Sequence, residues 1–156
     1  MSEQPHDHAG VIAPPPLIYF GALAVGLVLH YFLPLAFLPS GINFVLGALL
    51  IVLGLGIGFA AIVAMRRADT PPEPWEPTRA LVAHGPFRFT RNPIYLAFAL
   101  IYLGVTCALN AVAALALSPI ALAIIHFGVI AREEKYLERK FGQAYLDYKT
   151  RVRRWI

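Results

Sequence analysis

Apolar residues in this chain run in long blocks, with neither the alternation of a half-buried strand nor the striped pattern of a soluble helix. From Leu17 to Met65 the only side chain able to carry charge is His30, and from Asn92 to Ala131 it is His126. Blocks of about 20 apolar residues match a bilayer core of roughly 30 Å. The Pro39-Ser40-Gly41 turn divides the first block into predicted membrane helices over 17–38 and 42–65, and Asn110 divides the second into 94–109 and 111–130. The third of these helices is short for a clean crossing. The expected fold is therefore all-α and polytopic: four transmembrane helices in two hairpins.

Downstream, Leu137, Phe141, Tyr145, Tyr148, Val152 and Trp155 recur at steps of three or four, with Lys and Arg between them. That spacing makes one apolar helix face. It predicts a C-terminal amphipathic helix, interrupted at Gly142, lying at the membrane interface with its aromatics at headgroup level. Residues 66–92 contain Pro71, Pro72, Pro74, Pro77 and Pro86 and read as an irregular loop. The layout is then an N-terminal lead over 1–16, helices one and two over 17–65, and a core over 66–156 that holds the loop, the hairpin 94–130 and the tail. The lead carries Glu3 and Asp7, lacks Lys and Arg and has no small-residue cleavage pattern, unlike a signal peptide. Pro14-Pro15-Pro16 forms a stiff entry to the first helix.

Composition and charge sharpen this picture. Hydrophobic residues make up 58% of the 156 positions and charged residues only 14%, against roughly 25% in soluble domains. Five of the 13 basic residues lie between helices two and three and eight follow helix four; the turns at Ser40 and Asn110 have none. Four crossings place both basic regions on one side, which the positive-inside tendency makes cytoplasmic, together with both termini. Anionic membrane lipids account for the net charge of +4, so no nucleic-acid partner is called for. Gly54 and Gly58 form a small-xxx-small face that serves either packing within the chain or a homodimer. Ser118-Pro119 predicts a kink or an opened backbone in helix four. Cys107 is the single cysteine, so no internal disulfide forms, and it reads as a packing residue. No His, Cys, Asp or Glu spacing suggests a metal site.

Polar chemistry concentrates at two points. One is His84-Gly-Pro-Phe-Arg-Phe-Thr-Arg-Asn-Pro-Ile-Tyr95; the other is Arg132-Glu133-Glu134, one apolar hairpin later. Taken singly, each has a bland reading: Arg91 and Arg132 as snorkelling residues, Glu133 and Glu134 as an acidic helix start, Tyr95 and Tyr102 as belt aromatics, His84 as a loop hydrogen-bonder, His30 and His126 as packing residues. Together they make a polar pocket if the two clusters meet. Gly85-Pro86-Phe87-Arg88 followed by Arg91-Asn92-Pro93-Ile94-Tyr95 resembles the first signature of the isoprenylcysteine carboxyl methyltransferase family, to which phospholipid N-methyltransferases are related. Glu133-Glu134, Leu137, Phe141-Gly142, Tyr145, Tyr148 and Arg151-Val152 resemble its C-terminal signature. The resemblance spans residues 79 to 152. Asn92 stands where the carboxyl methyltransferases commonly have histidine, and Arg153-Arg154-Trp155-Ile156 replaces a proline-rich end.

The resemblance implies an integral membrane enzyme that uses S-adenosylmethionine to methylate a lipophilic acceptor, an isoprenylcysteine-like carboxylate or a lipid amine, arriving from the bilayer. Cofactor contacts are expected from backbone groups of Arg79, Ala80, Leu81 and Val82. Further contacts are expected from His84, Gly85, Phe87, Arg91, Asn92, Pro93, Ile94, Tyr95, Glu133 and Glu134. The residue types match such a cofactor, with carboxylates for a sulfonium, Arg91 or Arg132 for a carboxylate, and Phe87 and Tyr95 as aromatic surface. Pro93 in a first helical turn makes Asn92 the expected N-cap of helix three. Catalytic roles fall to Arg132 or Arg151, orienting a carboxylate acceptor, and to Glu134, taking the proton of an amine. Two rival readings are a non-catalytic lipid-binding scaffold and a nicotinamide-dependent ene reductase of related fold; the latter calls for more basic phosphate-binding positions and a longer chain.

Overall fold

The computed structural model describes residues 9–156; the first part of the expected lead, with Glu3 and Asp7, lies outside them. Six α-helices follow in order: α1 Pro15–Phe32, α2 Ile42–Arg67, α3 Pro93–Ala108, α4 Val112–Ile125, α5 Ala131–Phe141 and α6 Gln143–Arg151, with no strand among the described residues. Each boundary has a local cause. Helix α1 ends well short of the expected residue 38 because Leu33 precedes a proline, which disfavours helical backbone there; Leu33 is extended at φ −130°, ψ 78°. Pro15 and Pro93 sit in first turns, where the missing N–H costs nothing.

Helices α1 and α2, and the stretch from Val112 to Phe141, are long and apolar enough to cross a membrane, whereas α3 is a shorter apolar helix. Helix α4 passes through Pro119 without breaking. Proline leaves the carbonyl of Leu115 without its amide donor, and Ser118 Oγ donates to that oxygen at 2.7 Å. The departure from regular winding comes later, in one wide turn at His126–Ile130 that runs directly into α5.

The expected hairpins are not the packing units. Helix α2 lies along α3, and α1 along α4, while α1 and α2 barely touch. Small residues decide this. A Cβ on Gly47 would sit 2.6 Å from the oxygen of Gly104, one on Gly54 2.8 Å from the oxygen of Ala97, and one on Gly26 2.5 Å from the Cα of Ala114. Backbones approach this closely only where side chains vanish. The Gly54/Gly58 face is therefore filled by α3 of the same chain.

At the charge-free end, Asn110 adopts φ 55°, a conformation asparagine tolerates. Its Oδ1 accepts from the amides of Phe37 and Leu38, each at 2.9 Å, and its Nδ2 donates to the Leu38 oxygen at 2.8 Å. The two turns without basic residues are thus one unit. The proline-rich loop, α5 and α6 gather at the other end. The backbone around Gly10 joins them, through an Arg132 Nη1 bond to the Gly10 oxygen at 2.9 Å.

The tail breaks at Gly142, as expected, but the aromatics expected at headgroup level turn into the protein. Gly142, at φ 54° and ψ −128°, separates α5 from α6 and turns the chain back. Tyr145 and Tyr148 are then 1% and 4% exposed: the apolar face meets protein. A pocket that needs a wall competes for the same aromatics as the headgroup region, and here the pocket takes them.

Candidate active site

The two polar clusters meet. Tyr95, in the first turn of α3, donates its hydroxyl to Glu133 Oε1 at 2.6 Å, and Arg91 Nη2 donates to Glu134 Oε1 at 2.8 Å. Adjacent residues on α5 point about 100° apart, so each carboxylate reaches a different neighbour. Helix α3 is steadied by Tyr19 of α1, whose hydroxyl donates to the Tyr95 carbonyl at 3.1 Å.

Glu134 is held by two arginines. Arg154 grips it from the far side, Nε to Oε1 at 3.0 Å and Nη2 to Oε2 at 2.5 Å. The side chains of Arg91 and Glu134 are 8% and 6% exposed, that of Arg154 30%. Hydrogen bonding to Glu134 raises the Arg154 guanidinium further above its ordinary range. A buried carboxylate is tolerated at such a position only with this pairing.

Arg91 also closes α6. Its Nη1 donates to the carbonyls of Lys149 and Val152 at 3.0 and 3.1 Å, groups that the end of a helix leaves unpaired. Its amide donates to the Arg153 oxygen at 2.9 Å. Arg91 Nε, by contrast, is buried with no partner among the described residues. Tyr148 donates its hydroxyl to the Phe87 carbonyl at 2.7 Å, and burial pushes its pKa up to about 12, so it stays a neutral donor.

These contacts enclose one pocket. Ala80, Leu81 and Val82 line it from the loop. Phe87 and Arg91 come from the first motif, with Asn92, Pro93, Ile94 and Tyr95 at the head of α3 and Glu133 and Glu134 from α5. Arg79, His84, Gly85, Arg132 and Arg151 are not in the lining. Arg132 is exposed and turned to Gly10, and Arg151, also exposed, donates Nε to the Asp147 carbonyl at 3.1 Å. Asn92 does sit at the N-cap position of α3, but its side chain caps nothing: Nδ2 donates instead to the Arg154 carbonyl at 2.9 Å.

Several contributors escape the motif reading. Thr70, Pro71, Pro72, Glu73 and Pro74 form a wall of the pocket. Thr70 folds that stretch onto the next by accepting from the Ala80 amide at 2.8 Å through Oγ1. Tyr136, Tyr145 and Tyr148 supply aromatic surface opposite Phe87. The proline density of 71–77 could have marked a rigid wall in the sequence. Arg154 could be read only as a basic residue in an atypical ending.

A carboxylate pair tied to a motif at the start of a membrane helix, with an aromatic-lined cavity between, agrees with the comparison by sequence. The phospholipid methyltransferase family model matches residues 42–144, about two thirds of the chain. The chain belongs to the phospholipid methyltransferase family. The match runs from the start of α2 into α6 and takes in both carboxylates. An uncharacterized protein of Haemophilus influenzae is 48% identical over 64 residues, 40% of this chain and the whole of that protein. Family membership and the long apolar helices make this an integral membrane protein of a methyltransferase family.

Proposed function

We propose that the protein transfers a methyl group from S-adenosylmethionine to a lipophilic acceptor, an isoprenylcysteine-like carboxylate or a lipid amine, that reaches the pocket sideways from the bilayer. The observation that carries this reading is the paired bridge, Tyr95 to Glu133 and Arg91 to Glu134, across one aromatic-lined pocket. The residues suit the cofactor. Glu133 brings negative charge for a sulfonium or an ammonium group. The buried Arg91 Nε is a donor in want of an acceptor, which a carboxylate oxygen satisfies. Backbone groups of Ala80, Leu81 and Val82 and the faces of Phe87, Tyr145 and Tyr148 offer polar edges and a flat apolar slot for a purine.

The cofactor, when bound, supplies an electrophilic methyl carbon. The protein's share is position and dryness. Tyr95 fixes the rotamer of Glu133, and the two arginines hold Glu134 and with it the start of α5. Such alignment of two reactants is worth several kcal/mol of barrier, about 7–11 at the limit. For an amine acceptor, Glu133 or Glu134 is the nearby carboxylate able to take the proton. Arg132 and Arg151 lie outside the lining, so we assign them no contact with the acceptor in this conformation. The basic end of the bundle, with both termini and the pocket, faces the cytoplasm in this reading.

Isotope-labelled S-adenosylmethionine, incubated with the protein in membranes and, separately, with lipid extract or a prenylated cysteine, tests the reading. Label is expected in the organic-soluble fraction, in a product that mass spectrometry identifies as methylated lipid. Arg132→Gln and Arg151→Gln should retain the rate within about twofold, as exposed substitutions do. A protein that binds the cofactor yet labels neither lipid nor prenylated cysteine would overturn the proposed acceptor class.

A further inference from the structure

We propose that His126, Arg154 and Trp155 form a binding site for an anionic membrane lipid, outside the pocket and independent of the methyl-transfer reading. His126 lies in the wide turn between α4 and α5. Its Nε2 is 2.7 Å from Arg154 Nη1, and its Nδ1 is 3.2 Å from Trp155 Nε1. Both neighbours are donors only. A neutral imidazole has one lone pair and one N–H. If Nδ1 accepts from Trp155, the Nε2 proton confronts a guanidinium proton; if Nε2 accepts from Arg154, the Nδ1 proton confronts the indole N–H. Either tautomer leaves two N–H groups facing each other across 2.7 or 3.2 Å, and an oxygen acceptor that reaches both from the side resolves the conflict. Arg91 and Arg154 share the one carboxylate of Glu134, which leaves one formal positive charge, so the acceptor that fits is anionic.

The surroundings choose a lipid. Ala116, Pro119, Ile120, Ala123, Ile124 and Phe127 are all exposed at helical spacing, a single apolar stripe along α4. It ends at Phe127, whose ring meets the His126 ring edge-on at 4.7 Å. An acyl chain laid on that stripe brings its headgroup to the paired donors, and the chemistry that complements them is a phosphate ester oxygen at the edge of the bilayer. None of the three residues lines the pocket, and Arg154 and Trp155 lie beyond the stretch that matches the family. Because Arg154 also holds Glu134, occupancy of this site bears on the acidic pair through one side chain.

Trp155 is its own reporter, since the chain has only two tryptophans. In a Trp75→Phe background, full-length protein in nanodiscs should show a saturable change in Trp155 emission as phosphatidylglycerol replaces phosphatidylcholine. His126→Asn and Arg154→Lys should each raise the half-saturating fraction of phosphatidylglycerol by about fivefold, the scale of one lost hydrogen bond. Arg139→Gln, an exposed basic residue of α5 outside the cluster, should leave it unchanged. Native mass spectrometry of the same variants supplies a second readout, retained phosphatidylglycerol adducts, that does not depend on the surroundings of the indole. No emission change with phosphatidylglycerol, an equal change in phosphatidylcholine alone, the same response to inorganic phosphate, or an equal loss in Arg139→Gln would each overturn the site.

Discussion

Replacing Glu134 by alanine is expected to lower stability by about 3–5 kcal/mol, the usual loss when one partner of a buried ion pair is removed. Arg91, with its side chain only 8% exposed, would keep its charge and lose its carboxylate. The two carbonyl bonds from Arg91 Nη1 cannot neutralise it. Arg154 is more open to solvent, so the inner arm of the clamp accounts for most of the loss. Glu134→Gln keeps the shape and part of the hydrogen bonding and should fall between alanine and the natural residue. Thermal unfolding in detergent, followed by loss of the monodisperse peak on gel filtration, reads the order directly. A Glu134→Ala protein that melts with the wild type would mean that the clamp holds nothing together.

Glu133 should behave differently under the proposed reading, in which its carboxylate serves the methyl donor. Glu133→Gln is expected to weaken S-adenosylhomocysteine binding by about tenfold or more, a loss within the range of one charge-assisted hydrogen bond. The melting temperature should change much less than for Glu134→Ala, since Glu133 has a single neutral partner, Tyr95. Tyr95→Phe should give a smaller loss of affinity: the carboxylate remains but nothing fixes its direction. If Glu133→Gln and Glu134→Ala alter stability and affinity in the same proportion, the division of labour between the adjacent carboxylates is wrong.

What the sequence revealed and what it hid follow from the range of the interactions. Uncharged blocks with basic flanks are local signals, so the apolar helices and their common basic end were legible. So was the meeting of the two polar clusters, because an apolar hairpin of that length can only return the chain to the side it left. Partner choice among the helices was not legible. It depends on which glycine faces which backbone, as Gly47 meets Gly104 and Gly26 meets Ala114, and helical spacing alone does not say so. The tail was half legible: its apolar stripe is real, but a stripe does not state whether lipid or protein covers it. Tyr145 and Tyr148 turn inward because Gly142 permits a reversal of the chain. Arg154 was hidden for a further reason. Its partner is 20 residues away, and among the eight basic residues of the tail nothing local distinguishes it.

Calorimetric titration of the detergent-purified protein with S-adenosylhomocysteine and, in a separate cell, with NADPH addresses the central claim most directly. Saturable, one-site binding of the nucleoside and none of the nicotinamide cofactor is the predicted result. Binding of NADPH alone, or heat from neither ligand, would contradict the assignment of this pocket to a methyl donor.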